Sequence, residues 1–327
     1  MKKKFYWPPL LIVFLTCCLS AITIAAGETS DMEGYLLDYS NATQLDLRIF
    51  MLQATKEPIF SWFTYFISYL THGESPLVYK FILTSISLIL LGTGIYNLSR
   101  VYIRHVPAII ITTSIMVFPV LLEGSAHLVR QMWSLGICLL IIRYGSIFLL
   151  PIAAGIHLVS LICAPLLFNI RKTMYISCLL ILFLIFKSNL IDNESPIVQL
   201  TYVRLFGLLS SIGDTQLSGL SAFSFFILLT TVILSYLHQK KYLNAQEIDQ
   251  LRVSRRIYLF TITHFVIIIT SSILDYREMA ERLIYNLYPI FLLLLGLRME
   301  RKGEIVFLQY GASIITLFIA LYSIRNL

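Results

Sequence analysis

The sequence predicts an all-α membrane protein, a polytopic helix bundle of about nine to ten transmembrane helices in a single domain over residues 1–327. Hydrophobic residues make up 57% of the chain and charged residues 13%, whereas soluble domains have about 45–50% and about 25%. The apolar residues fall into runs of about 20, the length that a helix needs to cross the hydrocarbon core. Because the connectors are short, we expect any chemistry to take place at a membrane face.

Nine apolar runs predict membrane helices. They cover residues 7–26, 76–96, 106–123, 126–143, 174–191, 219–237, 257–275, 283–298 and 304–324. The first run follows three lysines and is long for a secretory signal, which favours an uncleaved helix. Residues 59–70 are rich in aromatic side chains and too short to cross, which is typical of a helix lying at the membrane interface.

Residues 144–170 form an apolar run that is interrupted by four helix breakers, Gly145, Pro151, Gly155 and Pro165. A single crossing here would place the basic connector 238–256 outside, against the tendency of Lys and Arg to stay in the cytoplasm. We therefore predict a broken, re-entrant-like helical hairpin that turns near His157. The N-terminus is then cytoplasmic, and the external segments are 27–75, 123–128, 192–218 and 276–282.

Arg130 is the sharpest candidate for a functional residue, because an arginine at a helix centre costs about 2.5–3.5 kcal/mol on insertion scales. It lies near the external end of the run 126–143, where the positive-inside tendency acts against it. An anionic group therefore compensates its charge, either a substrate or an acid such as Glu123. His127, three residues earlier, is a further candidate for substrate binding.

Three more arginines, Arg204, Arg277 and Arg282, lie in or beside other external connectors. Arginines that converge from separate loops suit phosphate or pyrophosphate, because a guanidinium binds such oxygens through two N–H groups. A surface ion pair between Glu278 and Arg282, four residues apart, is the simpler alternative. His157 is either a buried core histidine or a catalytic one, and its place at the predicted turn keeps both interpretations open.

The acidic residues of the first external connector allow two interpretations. Glu57 before Pro58 can simply start the helix 59–70. Asp31 and Glu33 can form a metal site, although the pattern is short. The chain has no zinc-ligand spacing, phosphate-binding glycine loop or nucleophile elbow. We expect no metal, no cofactor and no nucleic-acid partner.

Together these motifs resemble the Wzy/EpsG family of bacterial polysaccharide polymerases, in order and along most of the chain. The matching residues are Asp31, Tyr35 and Tyr39, Glu57-Pro58, Arg130-Gln131, the segment from Gly155 to Ser160, and Arg282 with the aromatic residues after it. The His-x-Ser segment departs from the family pattern, since Ser160 comes one residue late.

The resemblance implies a glycosyltransferase-like polymerase of the bacterial inner membrane that makes O-antigen, capsule or exopolysaccharide. It would join oligosaccharide units carried on undecaprenyl pyrophosphate at the external face, with membrane lipid and a chain-length regulator protein as further expected partners. Arg130, Arg277 and Arg282 would hold the departing pyrophosphate, and His157 or Glu57 would act as general base. Arg204, Arg277, Asp31, Tyr35 and His127 would contact the substrate.

Three other functions fit the same features. A flippase or transporter of the same lipid-linked oligosaccharide would also use broken helices and intramembrane charge. A polysaccharide-modifying acyltransferase would use His157 on a hairpin open to the cytoplasm. A metal-dependent glycosyltransferase would use Asp31 and Glu33.

Overall fold

The computed structural model describes residues 15–16, 18–20, 30–167, 222–243, 247–273 and 277–301, and the regular structure in these ranges is helical. The helices are α1 (Ser30–Ala42), α2 (Leu47–Gln53), α3 (Pro58–Thr71), α4 (Pro76–Ser99), α5 (His105–Met116), α6 (Pro119–His127), α7 (Val129–Tyr144), α8 (Leu149–Ile156), a 3-10 helix (Leu158–Leu167), α9 (Ala222–Tyr242), α10 (Ile248–Ile273), α11 (Arg277–Tyr285) and α12 (Tyr288–Arg301). The predicted helices 174–191 and 304–324, and most of 7–26, lie outside the described residues.

Within the described residues, three segments are long and apolar enough to cross a membrane, namely Pro76–Ser99, Ile248–Ser271 and Arg282–Glu300. A fourth candidate is the pair α5 and α6, which is bent by 64°. These findings confirm an all-helical membrane protein with several spans, while the total of nine to ten and the single domain stay predictions.

The bend between α5 and α6 falls inside the predicted helix 106–123 and has a sequence cause. Pro119 occupies the start of α6. A residue before proline is driven out of the helical region, and Phe118 is accordingly extended, with φ −68° and ψ 128°. The predicted single helix is therefore two shorter ones.

The connector 27–75, which the sequence predicts to be external, contains two helices that the sequence did not predict, α1 and α2. Asp46 starts α2 by accepting a hydrogen bond from the backbone N–H of Arg48 at 3.2 Å. The aromatic segment 59–70 is confirmed as a helix, α3, with Pro58 in its first turn. Much of the predicted connector 238–256 is helical as well, because α9 continues to Tyr242 and α10 begins at Ile248.

Two compact units divide the chain, Met1–Leu161 with Leu292–Leu327, and Ile162–Phe291. In the first unit, α4 and α7 pack at very short range through glycine. A Cβ atom at Gly136 would lie 2.7 Å from the backbone carbonyl carbon of Leu90, and one at Gly94 would lie 2.7 Å from Leu139 Cβ. Small residues let helix backbones approach in this way. The indole N–H of Trp133 also donates to the Leu83 carbonyl at 2.9 Å, so α7 is firmly held against α4.

In the second unit, α10 packs against both α9 and α11. Buried His264 accepts a hydrogen bond from Asn286 Nδ2 on its Nε2 at 3.2 Å, and its Nδ1 donates to the Phe260 carbonyl at 2.9 Å. Both ring nitrogens of the buried His264 imidazole therefore have hydrogen-bond partners within this apolar packing.

Residues 144–167 break where the sequence predicts. Gly145 ends α7 in the left-handed region, with φ 66°. The next helix, α8, ends at His157, whose backbone is extended with φ −155° and ψ 121°, and the 3-10 helix starts at Leu158. The break at His157 is thus confirmed, whereas entry and return on the same membrane face stay a prediction.

Candidate functional site

Four polar side chains from four elements of the first unit meet in one place, and we call them the Glu57 cluster: Tyr35 of α1, Glu57 at the start of α3, Arg130 of α7 and His157 at the end of α8. The side chains of Glu57 and His157 are each 7% exposed, and that of Arg130 is 11% exposed. Charged groups are rarely this buried unless they are paired.

Glu57 is the centre of the cluster. Its Oε2 accepts a hydrogen bond from Arg130 Nη1 within an ion pair. Its Oε1 lies 3.6 Å from His157 Nδ1 and accepts the backbone N–H of Leu158 at 3.4 Å. The side chain makes no capping bond to α3, although it occupies the N-cap position. The carboxylate is therefore committed to the cluster and not to the helix that it precedes.

Charge compensation decides the protonation state of Glu57. Burial by itself raises the pKa of the carboxyl, but Arg130, His157 and two backbone hydrogen bonds act in the opposite direction. The net result is a pKa below its ordinary value of 4.5. Glu57 is consequently an anion at neutral pH and a weak proton acceptor.

Arg130 makes contacts through two of its guanidinium nitrogens and through the face of the group. Besides the ion pair with Glu57, its Nε donates to the Tyr35 hydroxyl at 3.4 Å, and its Cζ lies 5.7 Å from the Tyr35 ring centroid and 5.9 Å from that of Phe60. Arginine suits such a place because its planar head can stack and hydrogen-bond at once. The acid that compensates Arg130 in the structure is Glu57, whereas Glu123 is exposed.

Tyr35 is held in place by the helix that carries it. One turn later, Tyr39 stacks on Tyr79 with centroids 4.4 Å apart, and its hydroxyl pairs with Thr71. Ser68 of α3 donates to the Tyr39 carbonyl at 2.6 Å. Burial raises the pKa of Tyr35 although Arg130 lowers it, so the hydroxyl stays protonated.

The position of His157 depends on a close contact between α8 and α3. A Cβ atom at Gly155 would lie 2.5 Å from Ile59 Cδ1 and 2.7 Å from Ile59 Cγ1. Gly155 is two residues before His157, and Ile59 is two residues after Glu57. The absence of a side chain at residue 155 thus sets the separation of the carboxylate and the imidazole.

We expect Gly155→Ala to lower the thermal stability of the protein, because the added methyl group must displace Ile59 and so move His157 away from Glu57. Overpacking of this kind typically costs about 1–3 kcal/mol. The double variant with Ile59→Ala removes both clashing atoms and should recover stability. Thermal unfolding of the purified protein in detergent measures both variants. Failure of the second change to rescue the first would show that the contact does not act through Ile59.

Two other predicted site residues, Asp31 and His127, lie in the first unit. Half-buried Asp31 lies one turn before Tyr35 on α1, and half-buried His127 ends α6. Arg277 and Arg282 lie on α11 in the second unit, and Arg204 lies outside the described residues. One charged residue that the sequence analysis passed over is Lys80, which is buried near the start of α4. The sequence could have revealed Lys80, because it is a charged residue in the first turns of an apolar helix.

Metal binding by Asp31 and Glu33 finds no geometric support in the described residues, where no three His, Cys, Asp or Glu side chains are placed to hold an ion. The two acids are two residues apart on α1, so they project from different sides of the helix.

A family model described as the EpsG family matches residues 6–326. The chain belongs to the EpsG family. This confirms the resemblance inferred from the motifs, and the match spans every residue of the Glu57 cluster. No curated protein and no solved structure matches the chain. EpsG membership together with the apolar helices identifies a multi-pass membrane protein and points to a polysaccharide polymerase.

Proposed function

We propose that this EpsG-family chain joins oligosaccharide repeat units carried on undecaprenyl pyrophosphate, at the external face of the bacterial inner membrane, with the Glu57 cluster as its catalytic centre. The observation that supports this most is the buried Glu57–His157 pair at a helix break. A carboxylate that orients an imidazole is the arrangement that general-base catalysis on a hydroxyl needs.

Of the two candidate bases, the geometry favours His157. Both oxygens of Glu57 are engaged and its pKa is lowered, so it accepts a proton poorly. Two groups approach His157 Nδ1: Glu57 Oε1 at 3.6 Å and the Val159 N–H at 3.4 Å. For catalysis we place the proton on Nδ1, where it faces the negative carboxylate, and the Val159 N–H contact, which needs a lone pair on Nδ1, is then given up. Nε2 is then the basic nitrogen.

In the proposed reaction, the acceptor hydroxyl of one lipid-linked unit attacks the anomeric carbon at the end of the donor chain. A carbon–oxygen bond forms there, and the bond from that carbon to the pyrophosphate oxygen breaks. His157 Nε2 receives the hydroxyl proton, and the lipid pyrophosphate leaves with the bonding electron pair.

Arg130 has a positioning role in this scheme. Its charge is matched by Glu57 and its Nε by Tyr35, so it fixes the carboxylate that orients His157. The pyrophosphate-binding role that the sequence analysis gave to Arg204, Arg277 and Arg282 stays a prediction. Asp31 and His127 remain candidates for sugar contacts.

Deletion of the gene followed by analysis of the cell-surface glycan tests the function. A polymerase mutant should leave single repeat units on the final acceptor. Complementation with the wild-type chain should restore long chains, whereas His157→Ala should not. His105→Ala is the matched control, because His105 is exposed and is not a member of the Glu57 cluster. Its Nδ1 forms a hydrogen bond with the Tyr96 hydroxyl at 2.7 Å.

Other results would reject the proposal and indicate which alternative function is correct. Complete loss of surface glycan would indicate a flippase. Full-length chains with altered substituents would indicate an acyltransferase. Loss of activity on addition of EDTA would favour a metal-dependent glycosyltransferase.

A further inference from the structure

The neutralisation of Arg130 leaves the Glu57 cluster without an available positive charge of its own. Arg130 and Glu57 form an ion pair in which both side chains are nearly buried. A leaving pyrophosphate carries several negative charges, and its departure requires cations placed where that charge develops. The first unit must therefore supply another cation if this cluster is where the bond breaks.

Lys56, directly before Glu57, has the properties of such a cation. It is half-buried, and its ammonium lies 6.0 Å from the Tyr35 ring centroid, the same ring that Arg130 approaches at 5.7 Å. In the part of the chain that the structure describes, no carboxylate lies within the 4.0 Å of an ion pair with it. Asp38 acts on it from further away, because Lys56 opposes the rise in the pKa of Asp38 that burial causes.

The ammonium lies beside α1 near Gly34. An ideal Cβ at residue 34 would lie 3.8 Å from Lys56 Nζ, an ordinary contact distance. A long side chain at that position would occupy the space beside the ammonium. The lysine head therefore lies next to the helix that carries Tyr35.

The start of α3 adds a second source of positive potential beside Lys56. Pro58 has no N–H, and the carboxylate of Glu57 makes no capping bond because it faces Arg130 and His157. The first N–H groups of this 14-residue helix thus have no side-chain cap. Uncapped helix N-termini attract anions, and here the attraction coincides with a cation that has no ion-pair partner.

We propose that Lys56, beside the N-terminus of α3, binds phosphate oxygens of the lipid-linked substrate. This inference rests on the proposed function and assigns to the first unit the anion-binding role that the sequence gave to Arg130. A single ammonium gives a point contact, so Lys56 attracts the pyrophosphate without selecting its geometry. The three candidate arginines elsewhere in the chain are not needed for this contact.

Binding measurements on the purified full-length chain in phosphatidylcholine nanodiscs test the proposal. The probes are undecaprenyl pyrophosphate, inorganic pyrophosphate and, in a separate arm, phosphatidylglycerol. We expect Lys56→Gln to raise the Kd for both pyrophosphates about tenfold, which is the effect expected from the loss of one charge-assisted hydrogen bond. Lys56→Arg should stay close to wild type, and phosphatidylglycerol should bind all variants alike.

Arg48→Gln is the matched control, since Arg48 is an exposed cation of the same connector and its loss changes the net charge equally. Equal weakening by Arg48→Gln would overturn the proposal, because a general electrostatic effect would then suffice. An unchanged Kd in Lys56→Gln, or a loss confined to phosphatidylglycerol, would overturn it as well. The assay needs no polymerisation, so this result is independent of the gene-deletion test of the function.

Discussion

Glu57→Gln is expected to abolish long polysaccharide chains and to lower the amount of protein in the membrane. The amide keeps the shape of the side chain but removes the charge that faces Arg130 and His157. Loss of the orienting carboxylate should reduce turnover by about 10²–10⁴-fold, the usual range for general acid–base catalysis. Removing one partner of a buried ion pair costs about 3–5 kcal/mol, because the other charge stays buried without compensation.

The double variant Glu57→Gln with Arg130→Gln separates these two effects. It removes both charges together, so protein level should return toward wild type, because two neutral amides can hydrogen-bond each other. Activity should stay absent, since His157 still has no carboxylate beside Nδ1. Immunoblots of membranes and the length distribution of the surface glycan measure the two quantities.

Glu123→Gln is the control, because Glu123 is the exposed acid closest in sequence to Arg130. It should behave as wild type in both measurements. If Glu57→Gln made chains of normal length, Glu57 would be no more than the start of α3, the alternative that the sequence left open. If the double variant recovered activity, the cluster would be structural and the base would lie elsewhere.

The Glu57 cluster shows which parts of a site one sequence can predict and which parts it cannot. Arg130 was a candidate as a charge beside an apolar run and His157 as a histidine at a predicted helix break, whereas Tyr35 and the catalytic role of Glu57 came from the family resemblance. Their meeting was not predictable, because Glu57 and Arg130 are 73 residues apart and Glu57 and Leu158 are 101 apart. The contact of Glu57 with His157 and Leu158 depends on how closely α3 and α8 approach at Gly155, which no local pattern records.

Several predicted helix boundaries were wrong for a related reason. The apolar run 76–96 marked a membrane-spanning candidate well, since α4 covers Pro76–Ser99. Amphipathic segments such as α1 and the start of α10 lacked a continuous apolar run and were assigned to connectors, although tertiary packing makes them helical. The role of Lys56 was equally hidden, since a lysine in a polar connector is distinguishable only once its neighbours are known.

Arg130→Lys is expected to eliminate polymer while the protein level stays near wild type. The ammonium can keep a charge beside Glu57, so the buried pair is not broken. Its single nitrogen cannot occupy both the Nη1 and the Nε positions, and it has no planar head to stack on Phe60 as the guanidinium does. Glu57 then loses its fixed orientation, and a displacement of about 1 Å at a reacting group can cost about 10²-fold in rate.

Arg143→Lys is the matched control, because Arg143 lies in the last turn of the same helix, with its guanidinium 5.3 Å from the Tyr144 ring centroid. It preserves charge at the opposite end of α7 and should leave chain length unchanged. Any shared effect of an arginine-to-lysine change on folding or insertion would appear in both variants.

Kinetics with purified enzyme and lipid-linked repeat units distinguish the two roles considered for Arg130. A positioning role predicts that Arg130→Lys lowers kcat and leaves KM for the donor almost unchanged, because the substrate does not touch the guanidinium. Direct contact with the pyrophosphate predicts a large rise in KM and weaker binding of inorganic pyrophosphate, the pattern assigned here to Lys56→Gln. A normal kcat together with a normal KM in Arg130→Lys would exclude both roles and leave the ion pair with Glu57 as a purely structural contact.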